Sequence, residues 1–366
     1  MKQNGFKVLL IGIFFGVLLF LGGCAGGHPA AKAGSGSAAS NGSNAAASPI
    51  NPGSQAASVE SINLSIFSVS VSGLEIPTWV ALDNNLFQQY GIKPKWNTLP
   101  PPTGVQALLS KDAQIGAVPG SAISAYASGS KDLIFVAGNN DKPVYKIMTN
   151  KLTKPEDLRG KKIGVSGKFA PPAVALMNYL EKQYMMKPDV DYKLVPFQTI
   201  SDVLPALDKG LIDAGVLSSP LDLKAEKQGA KVLVDLAKTF DEAHAYMMTT
   251  RTFAKENPEA VLRFLKAYAA GLEMAKKNPD IAVASILKHQ TGITAEEAKI
   301  TYEDYIHLQD INMTPEALKP YQIYTDNPKT NSANIEDMFD YSYLQQLDKS
   351  GFLKEHGFTL KIPNAK

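Results

Sequence analysis

With one cysteine in 366 residues, Cys24, the chain has no partner for an intrachain disulfide and no thiol set for a zinc or redox centre. Arginine is nearly as scarce: only Arg159, Arg251 and Arg263 occur, and none falls in a loop suited to a ligand. A bidentate guanidinium clamp on sulfonate or carboxylate is therefore not expected. The five histidines, at 28, 244, 289, 307 and 356, lack metal-ligand spacing. No GxxxxGKS/T loop occurs; Gly167-Lys168 ends like one, but Phe169 stands where the magnesium-binding hydroxyl belongs. Asp241-Glu242-Ala243-His244 thus spells a helicase box with no nucleotide loop to serve. No GxSxG is present, and nothing recommends a Ser-His-Asp triad. Excess charge is missing too, with 37 Lys+Arg against 35 Asp+Glu and no basic run, which removes the electrostatic case for nucleic acid. No catalytic residue, cofactor or metal is expected, and the chain does not read as an enzyme.

The one long apolar run, Val8 to Leu21, follows Lys2 and Lys7 and is short for a membrane span but right for a secretory signal. It ends in Leu21-Gly22-Gly23-Cys24, which resembles the lipobox of bacterial lipoproteins. That resemblance implies a signal peptide over 1–23 and lipidation of Cys24; a retained anchor helix is the blander alternative. Cleavage there would remove Lys2 and Lys7 and leave 35 charges of each sign. Residues 24–60 are Ala, Gly, Ser, Asn and Pro with almost no bulk, a composition that cannot bury a core. They read as a tether with a reach of roughly 30 Å.

What the chain does have is a sixteen-residue stretch used twice. Val71–Leu86 (VSGLEIPTWVALDNNL) and Val165–Leu180 (VSGKFAPPAVALMNYL) are identical at nine positions, among them Ser72/Ser166, Gly73/Gly167, Pro77/Pro171 and Asn84/Asn178. Each copy follows an apolar run suited to a buried strand, then gives a Ser-Gly loop, a helix-starting proline and apolar residues at helical spacing. Segments from Ala107 and Ala206 extend the likeness, so the chain reads as two α/β lobes. The first crossing between them is expected at Gly138–Pro143 and the return near Thr239–Tyr246. Beyond that the chain reads as helical, with Asn257-Pro258 and Asn278-Pro279 as helix starts and Thr294-Ala295-Glu296-Glu297 as a capping box.

Several runs resemble the nitrate/sulfonate/taurine-type solute-binding proteins of bacterial ABC importers: Pro77-Thr78-Trp79-Val80-Ala81 with Leu86-Phe87 and Gly91, Asp157-Leu158-Arg159-Gly160-Lys161-Lys162-Ile163-Gly164-Val165, and Asn257-Pro258-Glu259-Ala260-Val261. Gln114 departs from the acid usual there. The resemblance implies a two-lobed, type II periplasmic-binding-protein-like α/β fold with a ligand cleft between lobes joined by a two-strand hinge. Lobe one would hold 61–142 and 243–366, and lobe two 143–242. It implies an extracytoplasmic, lipid-anchored monomer that binds a small molecule and delivers it to permease subunits.

Loops that follow parallel strands gather at the carboxyl edge of a sheet, where open α/β sheets bind ligands. The candidates there are Ser70, Ser72, Gly73, Gly120, Ser121, Ser166, Gly167, Lys168, Ser218 and Ser219; any serine among them has the alternative of capping its own helix. Trp79, Phe169 and Tyr246 are candidates to flank a ring. Helix N-termini, hydroxyls and Lys168 favour a small organic anion with an apolar part, such as a sulfonate or aromatic carboxylate. The alternatives are a pyrimidine-type thiamine precursor or, on the same scaffold, an enzyme of the pyrimidine-synthesis or menaquinone-pathway kind. The cysteine-rich motif of the pyrimidine-making relatives is missing.

Overall fold

The run Leu133–Asn140 is buried at every position, which only a strand covered on both faces tolerates. It is strand β4 of a five-stranded sheet. With it go β1 (Ile62–Ser68), β2 (Ile92–Thr98), β3 (Ile115–Ala117) and β10 (Ala245–Thr250), in the order β2-β1-β3-β10-β4. A second sheet holds β5 (Lys146–Thr149), β6 (Lys162–Ser166), β7 (Lys193–Phe197), β8 (Ala214–Leu217) and β9 (Lys231–Asp235), in the order β7-β6-β8-β5-β9. This structure, a computed structural model, describes residues 60–242 and 245–363. The expected signal peptide, Cys24 and the tether up to residue 59 lie outside the described residues.

The two sheets correspond strand for strand. β1 pairs in parallel with β2 and β3, as β6 does with β7 and β8. β10 runs antiparallel to β3 and β4, as β5 does to β8 and β9. In each sheet the antiparallel strand is the one the chain enters after leaving the other sheet. Two crossings therefore connect the lobes, β4 to β5 and β9 to β10. Main-chain bonds hold them side by side: Glu242 N–H donates to the Asp141 carbonyl and Leu236 N–H to the Tyr145 carbonyl, both at 2.9 Å.

The repeated stretch folds differently in its two copies. β1 stops at Ser68, before the copy begins, and Gly73 opens a short 3-10 turn, Gly73–Glu75, ahead of the helix Ile76–Asp83. In the second copy Val165 and Ser166 are still in β6, and Gly167 sits at φ 81°, the left-handed region open to glycine, before the helix Pro171–Tyr184. The paired asparagines diverge too. Asn84 donates to the Val80 carbonyl at 2.9 Å, whereas Asn178 donates to the buried Glu242 carboxyl at 3.1 Å.

Behind the first sheet, the helix Pro258–Lys277 buries Val261, Phe264, Leu265, Tyr268, Ala269 and Leu272. Leu262, beside Val261 on the same helix, is only half-buried. Thr294 and Glu297 form the expected capping box at the start of the helix Ala295–Ile306. Among the described residues no helix is long and apolar enough to cross a membrane.

Glu242 is a buried acid beside the crossings. It is 1% exposed, and burial pushes its carboxyl from the ordinary 4.5 up to about 8, against the lowering effect of Asn178. An acid raised in the folded state releases its proton later than the unfolded chain does, so stability falls as pH rises from about 4.5 to about 8. Glu242→Gln keeps an acceptor for Asn178 and removes the titration. Urea unfolding across that window is expected to show a flatter decline for the variant; parallel curves would contradict the assignment.

Candidate functional site

The strands of both lobes end at one cavity of about 940 Å³. Its wall takes Val69–Ser72 after β1, Ala117–Ser121 at the end of β3, Ser166 at the end of β6, Gln198–Ser201 after β7 and Ser218–Leu221 after β8. That is the carboxyl edge of two parallel arrangements facing each other, the usual place for a ligand in such sheets. Of the residues singled out from sequence, Ser70, Ser72, Gly120, Ser121, Ser166, Phe169, Ser218 and Ser219 line it.

Five others stand off the wall, each for a physical reason. Gly73 is a packing glycine: a Cβ there would lie 2.5 Å from the Tyr305 ring. Gly167 serves the backbone turn just described. Lys168 points outward and pairs with exposed Asp189 at 3.0 Å. Tyr246 is fully buried, with its hydroxyl accepting from Thr314 N–H at 3.0 Å. Trp79 is also fully buried, but acts one layer back, stacked on the cavity residue His289 at 5.1 Å and 8°. His289 in turn meets Asp83 at 3.1 Å.

Thr199 caps the turn that follows it, but the serine hydroxyls on the wall are not used up as helix caps. Ser72 precedes its turn without a side-chain cap bond. Ser70 and Ser72 share a 3.0 Å bond between hydroxyls, and Ser219 donates to Asp304. Ser121 and Ser166 make no side-chain hydrogen bond among the described residues and face the cavity free.

The helix starts offer fewer donors than helix starts normally do. Pro101-Pro102, Pro119 and Pro171-Pro172 open three of the helices on the wall and have no N–H to give. What they present instead is apolar ring surface, next to Val69, Leu74, Ile200 and Ile293. Charge is thin: among the described residues, Lys224 is the one lysine on the wall and Glu75 the one carboxylate. Glu75 is 4% exposed, and burial pushes its carboxyl up to about 8.

Sequence patterns did not point to the contribution of the helix Ala295–Ile306 and the loop before it, which bring Gln290, Thr291, Ile293 and Tyr305 to the wall. The Tyr305 ring fits where Gly73 has no side chain, and hydrogen bonding by Ser218 and Ser72, one from each lobe, opposes the rise that burial imposes on its hydroxyl. The only sequence signal was its place on the helix's inner face with Thr301 and Tyr302.

The same helix ties the lobes together. Lys146 of β5 sits 2.7 Å from Asp222 and 3.1 Å from Asp304, while Lys227 reaches Glu297 at 3.2 Å. Burial works against the Lys146 charge, but Asp222 and Asp304 outweigh it and hold the ammonium above its ordinary value. Among the described residues no group of His, Cys, Asp and Glu is placed to hold a metal ion.

Two sheets of one strand order, two crossings and a cleft between opposed carboxyl edges define a two-lobed solute-binding scaffold, the periplasmic-binding-protein-like fold expected from the sequence. The chain belongs to the NMT1/THI5-like family, whose profile matches residues 75–282. Over 174 residues it is 29% identical to the riboflavin-binding protein RibY of Chloroflexus aurantiacus, covering 43% of this chain. The matched part is 48% of RibY, so the chain spans about half the length of this curated relative. The periplasmic aliphatic sulphonate binding protein SsuA of Escherichia coli superposes with a TM-score of 0.61 at 21% identity, over 71% of this chain and 89% of that one. A Candida albicans protein with the generic periplasmic binding protein fold superposes with a TM-score of 0.56 at 14% identity, over 76% of this chain and 96% of its own. At such identities the likeness establishes the fold.

Asp222 is 1% exposed and depends on Lys146 for its countercharge. Lys146→Met strands that carboxylate, and a buried pair broken on one side typically costs about 3–5 kcal/mol. A loss of that size in equilibrium unfolding is the expected outcome. One below about 1 kcal/mol, as for a surface pair, would show the cluster to be solvated.

Proposed function

We propose that this protein is the extracytoplasmic solute receptor of an ABC-type importer, and that its cleft takes a neutral, ring-bearing heterocycle rather than a small anion. One observation carries the choice of ligand: the wall offers apolar and hydroxyl surface, with one lysine and proline-capped helix starts where an oxyanion would need cations and N–H groups. A helix end gives an exposed anion only about 0.3–1 kcal/mol even with its donors intact. Removing those donors, and turning Lys168 away to Asp189, leaves an organic sulfonate or carboxylate with Lys224 as its one lysine and the loop hydroxyls as donors. A flat ring gains instead from Phe169, the prolines and the aliphatic wall, and its polar edges meet free Ser121 and Ser166.

The receptor role is supported by the family, by the two-lobed cleft and by the leading sequence. Lipidation at Cys24, a flexible tether, a monomeric body and docking to permease subunits complete the proposal. The curated relative named for riboflavin binding favours a heterocyclic ligand, and the pyrimidine-type alternative from the sequence falls in the same chemical class. An aromatic carboxylate remains the second choice, favoured by Lys224 on the wall.

A thermal-shift panel separates these readings, because a ligand at a hundred times its Kd stabilises by about 2.7 kcal/mol. Riboflavin and aminopyrimidines are expected to raise the melting temperature, and Lys224→Ala to leave that shift intact. Stabilisation confined to taurine, alkanesulfonates or benzoate, and lost in Lys224→Ala, would restore the anion site and overturn this choice.

A further inference from the structure

Two polar side chains on the cavity wall are buried and unsatisfied. The Glu75 carboxyl, on a residue 4% exposed, receives no hydrogen bond from any described residue. Gln290 is 5% exposed; its amide donates to the Val71 carbonyl at 3.4 Å, while its Oε1 is buried without a partner. Polar groups inside a protein are seldom left without a protein partner unless there is a reason. The turn that carries Glu75 is itself well fixed. Gln309 donates to the Gly73 and Leu74 carbonyls at 3.0 and 3.1 Å, and Asn139 donates to the Leu74 carbonyl at 3.0 Å. A buried scaffold thus holds an empty-handed acid against the cleft.

We propose that Glu75 reads the nitrogen edge of the ligand: a ring N–H or amino group donating to its carboxyl, beside a ring nitrogen or carbonyl that accepts from Glu75. Because burial keeps the carboxyl protonated near neutral pH, it offers a carbonyl acceptor and a hydroxyl donor side by side. That pair complements a lactam, an imide or an aminopyrimidine. An anionic ligand would find neither a cation nor a donor-only surface at this end. The assignment rests on the heterocycle reading above and narrows it to rings with adjacent donor and acceptor.

Matched probe pairs test it by titration calorimetry: lumiflavin against 3-methyllumiflavin, uracil against 1,3-dimethyluracil, and 4-amino-2-methylpyrimidine against its N,N-dimethyl form. Methylation blocks the donating nitrogen and leaves the ring. At least one pair is expected to differ by roughly 10–100-fold in favour of the free N–H. Glu75→Gln, whose carboxamide keeps a donor beside an acceptor, is expected to retain the preference. Glu75→Leu is expected to abolish it while still binding the methylated probe, which also shows that the variant folds. Equal affinity within every binding pair, or a preference that survives Glu75→Leu, overturns the role of Glu75 and leaves the heterocycle receptor standing. Binding of alkanesulfonates with no binding of any ring probe overturns both.

Discussion

The first sheet depends on a strand, β10, that the chain supplies only after passing through the second. β5 can pair with β8 and β9 only after the chain has left β4, and β10 completes the first sheet only after the chain has left β9. The first sheet is complete only after both crossings, and the crossings are bonded to each other at Asp141–Glu242 and Tyr145–Leu236. That exchange fixes which sheet edges face each other, and therefore where the cavity lies. The helix Ala295–Ile306 adds a third tie, made of side chains instead of backbone. Such ties can break and re-form at the modest cost of a hinge motion.

The cleft that results is built from short polar groups on stiff supports. Ser70, Ser72, Ser218 and Ser219 meet one another, Asp304 or the Tyr305 hydroxyl, and Trp79 backs His289 from within the core. The prolines at the helix starts do two things at once. They set the first helical turn, and they withdraw N–H groups from the wall.

Much of this was legible in the sequence. The duplicated Ser-Gly-proline stretch located both carboxyl edges, and the loop serines followed from it. Local identity did not extend to local conformation, however. Ser72-Gly73 opens a 3-10 turn and Ser166-Gly167 ends a strand, because packing by Tyr305 governs the first and backbone geometry the second. Trp79 and Tyr246 were sought in the cleft because their type suits it. The helix of Trp79 is buried almost all round, so no amphipathic pattern marked which side was core. Lys168 adjoins the right loop, yet its long side chain turns to Asp189, an option spacing cannot reveal. Tyr305, His289 and Gln290 come from far along the chain, and only tertiary packing brings them to the wall.

The central claim concerns what fills that cleft, and the most direct measurement is mass spectrometry of the small molecules retained by the protein purified from its own cells under native conditions. The account predicts a heteroaromatic compound with an unsubstituted N–H beside an acceptor, present in proportion to protein and released on denaturation. An aliphatic sulfonate, or an inorganic anion at the same stoichiometry, would contradict it.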